Sequence, residues 1–121
     1  MRISIMLIMA AILSAQTPSP NSKSAPAPAG DAQNGKKIFA SYGCYQCHGY
    51  QGQGGAAGPR IAPDPLPFDG LAAFVRTTSG EMPPYTTTIL SDSDLADIYA
   101  YLQSIPRPPA LADVPLLKQQ D

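Results

Sequence analysis

Apolar residues recur at helical spacing in three stretches of the chain, and the last stretch carries the strongest signals for where a helix begins and ends. Ser91 is a good N-cap residue, and Asp94 follows three positions later, as in a capping box with Asp in place of Glu. Pro106 cannot continue a helix and therefore stops it. We predict a C-terminal helix between these residues. Its apolar stripe consists of Leu95, Ile98, Tyr99 and Leu102, with Tyr101 beside it.

The first stretch, DAQNGKKIFASYGC, begins at Asp31, a candidate N-cap, and has an apolar face formed by Ile38, Phe39 and Tyr42. Gly35 lies in its middle, where glycine destabilises a helix by up to about 1 kcal/mol relative to alanine. We therefore expect another backbone to pass close to Gly35.

The middle stretch, FDGLAAFVRTTSG, repeats apolar residues at Leu71, Phe74 and Val75. We expect Asp69 to cap its start and Gly80 to mark its end. No stretch alternates as a strand would, so the fold class is predicted to be all-α, with three to four short helices.

Between the first two helices lies GYQGQGGAAGPRIAPDPLP, a glycine- and proline-rich loop. Loops of this length inside a small domain are uncommon and usually functional. We expect the loop to wrap around something that the short chain itself does not provide.

The composition changes sharply along the chain. Residues 1–15 have an early Arg, an apolar run and small residues, which is the layout of a secretory signal peptide, and a short uncleaved membrane anchor is the alternative. Residues 16–30 read as a flexible Pro/Ser/Ala-rich linker, 31–106 as the folded domain and 107–121 as a proline-rich tail. We therefore expect a periplasmic or otherwise exported protein, with membrane association only through an uncleaved N-terminal segment.

A domain of about 75 residues has a marginal hydrophobic core and often depends on a disulfide, a metal or another cofactor. The chain has no tryptophan and only three phenylalanines, so it has few large side chains with which to fill a core. Its eight basic and nine acidic residues form no basic stripe, so nucleic-acid binding is not expected.

All the strongly reactive side chains lie in one pentapeptide, CYQCH, which holds Cys44, Cys47 and His48. A disulfide across two residues would close too small a loop to stabilise much, and a thiol oxidoreductase would need a strand before the motif. A structural zinc site would need a fourth ligand. The spacing is typical of c-type haem attachment, in which each thiol adds to a vinyl group and the histidine binds the iron.

With this motif, the chain from Asp31 to Ile105 resembles the class I cytochromes c, which are small single-haem electron carriers. The resemblance implies that long loops and short helices enclose one covalently bound haem c. It further implies that Met82, in SGEMPPY, is the second axial ligand of the iron. In GPRI, it implies that the carbonyl of Pro59 accepts a hydrogen bond from Nδ1–H of His48.

The resemblance also implies a crossing of the first and last helices. The residues that match the family at this crossing are Gly35, Phe39, Ile98 and Tyr101. For the haem propionates we expect Arg60 and Tyr85 as donors. The expected pocket lining comprises Leu66, Phe68, Leu71, Phe74, Val75, Tyr85 and Ile89.

The expected function is that of a single-electron carrier rather than an enzyme, in an exported respiratory or dehydrogenase-linked chain. Its partners would be a donor and an acceptor redox protein, which the sequence does not name. One alternative is a subunit docked on a larger dehydrogenase or oxidase. Another is a haem protein with an open iron site, which requires that Met82 is not a ligand.

Overall fold

The computed structural model describes residues 26–116. This part of the chain forms four α-helices and a short 3₁₀ helix, and it contains no β-strand. The helices are α1 (Ala32–Ser41), α2 (Cys44–His48), α3 (Phe68–Thr77) and α4 (Asp92–Ser104), and the 3₁₀ helix is Leu111–Asp113. The predicted all-α class is confirmed.

The predicted signal peptide, residues 16–25 of the predicted linker and residues 117–121 of the predicted tail lie outside the described residues. The predicted division into domains thus stays a prediction. No helix between residues 26 and 116 combines the length and the apolar character that crossing a membrane requires.

The predicted caps of the first and last long helices are confirmed. The carboxylate of Asp31 accepts hydrogen bonds from the backbone N–H groups of Gln33 and Asn34, at 2.8 and 3.1 Å. The hydroxyl of Ser91 accepts one from the N–H of Asp94 at 3.1 Å. Both side chains satisfy donors that the first helical turn leaves without partners.

Helix α3 differs from the prediction at both ends. Pro67 occupies the N-cap position, and its carbonyl accepts the N–H of Leu71 at 3.0 Å. Asp69 therefore lies inside the first turn. Its negative charge interacts favourably with the helix dipole there, but its side chain makes no capping hydrogen bond. The helix ends at Thr77 rather than near Gly80, so the residues before Met82 form an irregular loop.

Helices α1 and α4 pack closely, as the glycine on α1 predicted. A Cβ atom added at Gly35 would overlap the backbone carbonyl of Asp97. The ring centroids of Phe39 and Tyr101 are 5.7 Å apart across the same contact. The close approach of the two backbones explains why the first helix carries a glycine that its own stability does not favour.

A polar network closes this contact at the start of α1. The carboxylate of Asp97 accepts the backbone N–H of Asp31 at 2.6 Å and the Nδ2 group of Asn34 at 2.8 Å. These hydrogen bonds, the one from Asp31 first, lower the pKa of the Asp97 carboxyl below its usual value. Two parts of the chain that are more than sixty residues apart are thereby joined.

The core lies between these helices and α3. Its buried side chains include Phe39, Leu71, Val75, Leu90, Leu95, Ile98 and Leu102. All seven also line a cavity that opens beside α2, so the core forms the inner wall of the site.

Candidate haem site

The CYQCH pentapeptide forms helix α2, bounded on both sides by glycines with positive φ. Gly43, before the helix, has φ 76° and ψ 12°, and Gly49, after it, has φ 76° and ψ 158°. These conformations are strained for residues with a Cβ but readily adopted by glycine. The two glycines thus determine where the five-residue helix begins and ends, and with it the orientation of its side chains.

His48 is buried at the end of this helix, with 8 % of its surface exposed, and its Nδ1 lies 2.8 Å from the carbonyl oxygen of Pro59. Because a carbonyl can only accept, Nδ1 must carry the proton in this contact. In the neutral ring, Nε2 then keeps its lone pair and is the nitrogen available to a metal.

The loop after α2 folds back on itself, which brings Pro59 to His48. The N–H of Gly54 donates to the carbonyl of His48 at 2.8 Å, and the N–H of Ile61 donates to the carbonyl of Gly52 at 2.8 Å. Gly54 has φ 84°, and a Cβ there would lie 2.7 Å from the backbone nitrogen of Arg60. The path of the loop therefore depends on glycine at this position.

Helix α4 holds the beginning of the same loop. The hydroxyl of Tyr101 donates to the carbonyl of Tyr50 at 2.7 Å. The ring of Tyr50 stacks on that of Tyr45, with centroids 4.5 Å apart and 16° between the planes. Tyr50 thus links the motif helix α2 to the C-terminal helix α4, although the periodicity of the sequence did not single it out.

The two cysteines of the motif form no disulfide with each other. Cys44 is partly buried and lines the cavity, whereas Cys47 is exposed. Burial raises the pKa of the Cys44 thiol to about 11. A thiol oxidoreductase would need a strand before the motif, and helix α1 occupies that place.

The cavity has a volume of about 400 Å³, and most of its wall is apolar. Five side chains of the predicted pocket form part of it: Leu66, Leu71, Phe74, Val75 and Tyr85. Phe68 and Ile89 do not line it, which corrects the prediction. The ring of Phe68 packs edge-on against Tyr99, and Ile89 is exposed while its carbonyl accepts the hydroxyl of Tyr42 at 2.8 Å.

Met82 is partly buried and lines the same cavity as Cys44 and His48. A thiol, an imidazole with a bare nitrogen and a thioether therefore converge on one apolar space, with the carbonyl of Pro59 behind the imidazole. This donor set and this lining fit a haem bound by nitrogen and sulfur ligands.

The two predicted propionate donors differ in their surroundings. Arg60 is exposed and lines the cavity, and within residues 26–116 it forms no ion pair. Tyr85 also lines the cavity, but its hydroxyl donates to the carbonyl of Tyr42 at 3.1 Å. The only proton of that hydroxyl is thus engaged by the backbone, a geometry that favours Arg60 over Tyr85 as a propionate partner.

A family model described as "Cytochrome C oxidase, cbb3-type, subunit III" matches residues 30–102, which is more than half of the chain. The chain belongs to this c-type cytochrome family. The family implies haem c as the cofactor and electron transfer as the general role, which agrees with the donor set around the cavity. The resemblance to a c-type cytochrome, drawn from the motif, is confirmed.

One curated relative of this cytochrome is the "Menaquinol:cytochrome c reductase cytochrome c subunit" of Bacillus subtilis (strain 168). The two are 41 % identical over 49 residues, which are 40 % of this chain and 19 % of the relative. The matched segment thus spans about a fifth of the relative's length. No solved structure matches the chain.

The structure also bears on the structural zinc site that the sequence left open as an alternative. Within residues 26–116, no three or more His, Cys, Asp or Glu side chains are arranged to hold a metal ion by themselves. The described residues therefore offer no cluster of protein ligands for a structural zinc ion.

The sequence reasoning missed several cavity residues of this cytochrome. Ile61 and Asp64, from the long loop, and Leu90, just before α4, all line the cavity. Leu90 is almost fully buried. It could have been predicted from the sequence, because an apolar residue directly before an N-cap such as Ser91 often packs against the first turns of the helix. Asp64 gave no such signal, because its partner Arg107 lies in the proline-rich segment after α4.

Proposed function

We propose that the protein is a single-electron carrier with one haem c, attached through Cys44 and Cys47 and ligated by His48 and Met82. The observation that carries the proposal is the short contact between Nδ1 of His48 and the carbonyl of Pro59, beside a cavity that Cys44 and Met82 also line. In each attachment, the thiol S–H adds across a vinyl group, so sulfur joins one carbon and hydrogen the other, without an oxidant.

The haem, when bound, would supply an iron that alternates between ferric and ferrous states. His48 holds its Nε2 lone pair toward a metal because Pro59 keeps the proton on Nδ1. Met82 provides a soft sulfur, which favours the ferrous state and raises the reduction potential. The apolar wall excludes water and disfavours the additional charge of the ferric form.

Ligation of the iron by both His48 and Met82 would leave no iron position for a substrate, and this supports a carrier rather than an enzyme. The open-site alternative needs Met82 to be displaced. It is distinguished by rapid binding of carbon monoxide to the ferrous protein, which a carrier with both ligands in place resists.

We propose an exported location, on the basis of the signal-like residues 1–15, with an uncleaved N-terminal anchor as the alternative. Donor and acceptor proteins would exchange electrons with the haem. A second candidate is a subunit that stays docked on a larger complex. It is favoured by the description of the matching family, an oxidase subunit, and by the name of the relative, a reductase subunit.

The test is expression in a host that attaches haem outside the cytoplasm, followed by spectroscopy of the purified protein. We expect one haem per chain that resists acid–acetone extraction, sharp ferrous bands and a weak ferric band from sulfur-to-iron charge transfer. Replacing both cysteines with alanine should abolish retention of haem, whereas Met82→Ala should abolish the charge-transfer band and leave the haem attached. Haem that extracts freely from the wild type would contradict covalent attachment. Persistence of the band in Met82→Ala would contradict the proposed ligand, and co-purification with a large partner would favour the docked subunit.

A further inference from the structure

The segment that carries Met82 has no regular secondary structure, but its C-terminal end is pinned at Tyr85. The backbone N–H of Tyr85 donates to the carbonyl of Val75 at 2.9 Å. The backbone carbonyl of Tyr85 accepts Nη1–H of Arg76 at 2.7 Å. Both polar groups on the main chain of Tyr85 are therefore bound to two consecutive residues in the last turns of α3.

Arg76 also reaches a third element. Its Nη2 donates to the carboxylate of Asp92 at 2.7 Å, in the first turn of α4. The side chain of Arg76 is 15 % exposed, whereas that of Asp92 is 78 % exposed. The guanidinium is thus largely shielded, and its two terminal nitrogens hold two acceptors from separate parts of the chain.

This geometry depends on arginine. The guanidinium is planar and presents its donors in a fixed fork, so one side chain can serve two acceptors whose directions are set. Lysine carries the same charge on a flexible stem but lacks the fork. An ion pair alone would be preserved by lysine, and the simultaneous bond to the carbonyl of Tyr85 would not.

Fixing Tyr85 also restricts Met82. The two residues between them, Pro83 and Pro84, each have a locked φ, and each restricts the residue before it to extended backbone. Few backbone rotations therefore remain between the clamp at Tyr85 and the thioether. A neutral sulfur is a weak ligand, and it stays in place only if the segment seldom opens.

We infer that Arg76 is a positioning residue for Met82: it fixes the main chain of Tyr85 to α3 and α4 and thereby keeps the thioether in the cavity. The inference rests on the proposed ligation of iron by Met82 and adds the device that maintains it. Asp92 orients Arg76 from α4 and has the smaller effect, because it is exposed and its ion pair is screened by solvent.

The test uses the purified ferric holoprotein and follows two signals through one urea titration. The sulfur-to-iron charge-transfer band reports Met82, and far-UV circular dichroism reports the helices. In Arg76→Lys we expect the band to disappear at urea concentrations where the helices persist, so that its midpoint separates from the helical midpoint. If Arg76 only stabilised the fold through its ion pair, Arg76→Lys would shift both midpoints by the same amount.

Carbon monoxide binding to the ferrous protein provides the second measurement. Loss of a partly buried hydrogen bond from a charged group should raise the open population, and hence the binding rate in Arg76→Lys, by about tenfold or more. Asp92→Asn retains the bond to Tyr85 and should give a smaller increase. Lys36→Arg changes an exposed residue of α1 that does not line the cavity, and it should leave both signals unchanged.

Each failure has its own signature. Equal shifts of both midpoints in Arg76→Lys, or an unchanged carbon monoxide rate, would overturn the inference while leaving the proposed ligation intact. If Arg76→Lys does not fold, an unchanged rate in Asp92→Asn overturns it. A wild-type protein without the band, or one that keeps the band in Met82→Ala, overturns the proposed ligation and this inference together.

Discussion

A Cβ atom at Gly35 on α1 would occupy the space of the Asp97 carbonyl on α4. The overlap involves backbone, which cannot move aside as the end of a flexible side chain can. Gly35→Ala should therefore push the two helices apart and lower the free energy of unfolding by about 1–3 kcal/mol, in spite of the better helix propensity of alanine. Urea denaturation of the purified protein measures this change.

Gly70 supplies the matched control for this substitution. It lies in α3, and a Cβ there would meet nothing within 4 Å. Gly70→Ala should therefore leave stability unchanged or raise it by up to about 1 kcal/mol. Equal losses in both variants would show that the helix contact is not what requires glycine at position 35.

Gly54→Ala tests how the loop places the carbonyl of Pro59. The left-handed backbone at Gly54 costs an alanine roughly 1–2 kcal/mol, and the new Cβ would crowd the Arg60 backbone. A shift of that backbone weakens the hydrogen bond at His48, which makes the imidazole a poorer electron donor and disfavours ferric iron. We expect a higher midpoint potential, measured by redox titration of the holoprotein.

Gly55→Ala is the control, because a Cβ at Gly55 has only an ordinary contact, 3.8 Å from the Cys47 carbonyl, and no positive φ. Its potential should stay at the wild-type value. A matching rise in both variants would place the effect in the loop as a whole and not in the contact of Pro59 with His48.

Asp97 gives the domain a predictable response to acid. Its folded-state pKa lies below the unfolded value near 3.8, because its carboxylate accepts hydrogen bonds from Asp31 and Asn34. The stabilisation is thus complete above the unfolded pKa and is lost as the pH falls through the folded pKa. Asp97→Asn should be less stable than wild type at pH 7, and the difference should shrink below about pH 4.

Urea denaturation at a series of pH values checks this prediction. The control is Asp113→Asn, which removes an exposed carboxylate outside the α1–α4 contact, in the 3₁₀ helix. It should show a small and nearly constant difference from wild type. A stability gap for Asp97→Asn that persists unchanged into acid would contradict the proposed role of the charge.

Removal of the cofactor should have a larger effect than any of these substitutions. The cavity wall takes in much of the core, including Phe39, Leu95 and Leu102. Without haem these side chains face water or an unfilled space, and a small domain has little stability in reserve. The variant with Cys44 and Cys47 replaced by alanine should lose most of its helical circular dichroism, whereas Cys44→Ala alone should retain haem and helicity through the remaining thioether bond.

The sequence predicted best where the determinants are local. Ser91 and Pro106 bound α4 because capping and the missing proline N–H act within one turn. Gly35 predicted the close approach of another backbone, because glycine destabilises the interior of a helix and is expected there only where a side chain has no room. The cap predicted at Asp69 was wrong because Pro67, with φ −48°, already begins the turn from outside the expected stretch.

The contacts of Arg76 and Tyr85 could not be read in the same way. Arg76 binds acceptors 9 and 16 residues away, and neither a backbone carbonyl nor an exposed aspartate has a sequence signature. Tyr85 was predicted as a propionate donor, whereas its hydroxyl is bound to a carbonyl 43 residues earlier. Such pairings depend on how α1, α3 and α4 are assembled.

The seating of Gly30 and Asp31 against α4 has a mechanical consequence. A Cβ at Gly30 would overlap the carbonyl of Ala96, and the N–H of Asp31 is held by Asp97. None of these four residues lines the cavity. Any pull exerted through the preceding chain, by a tether or a partner, would therefore act first on the contact between α1 and α4 and not directly on Met82 or His48.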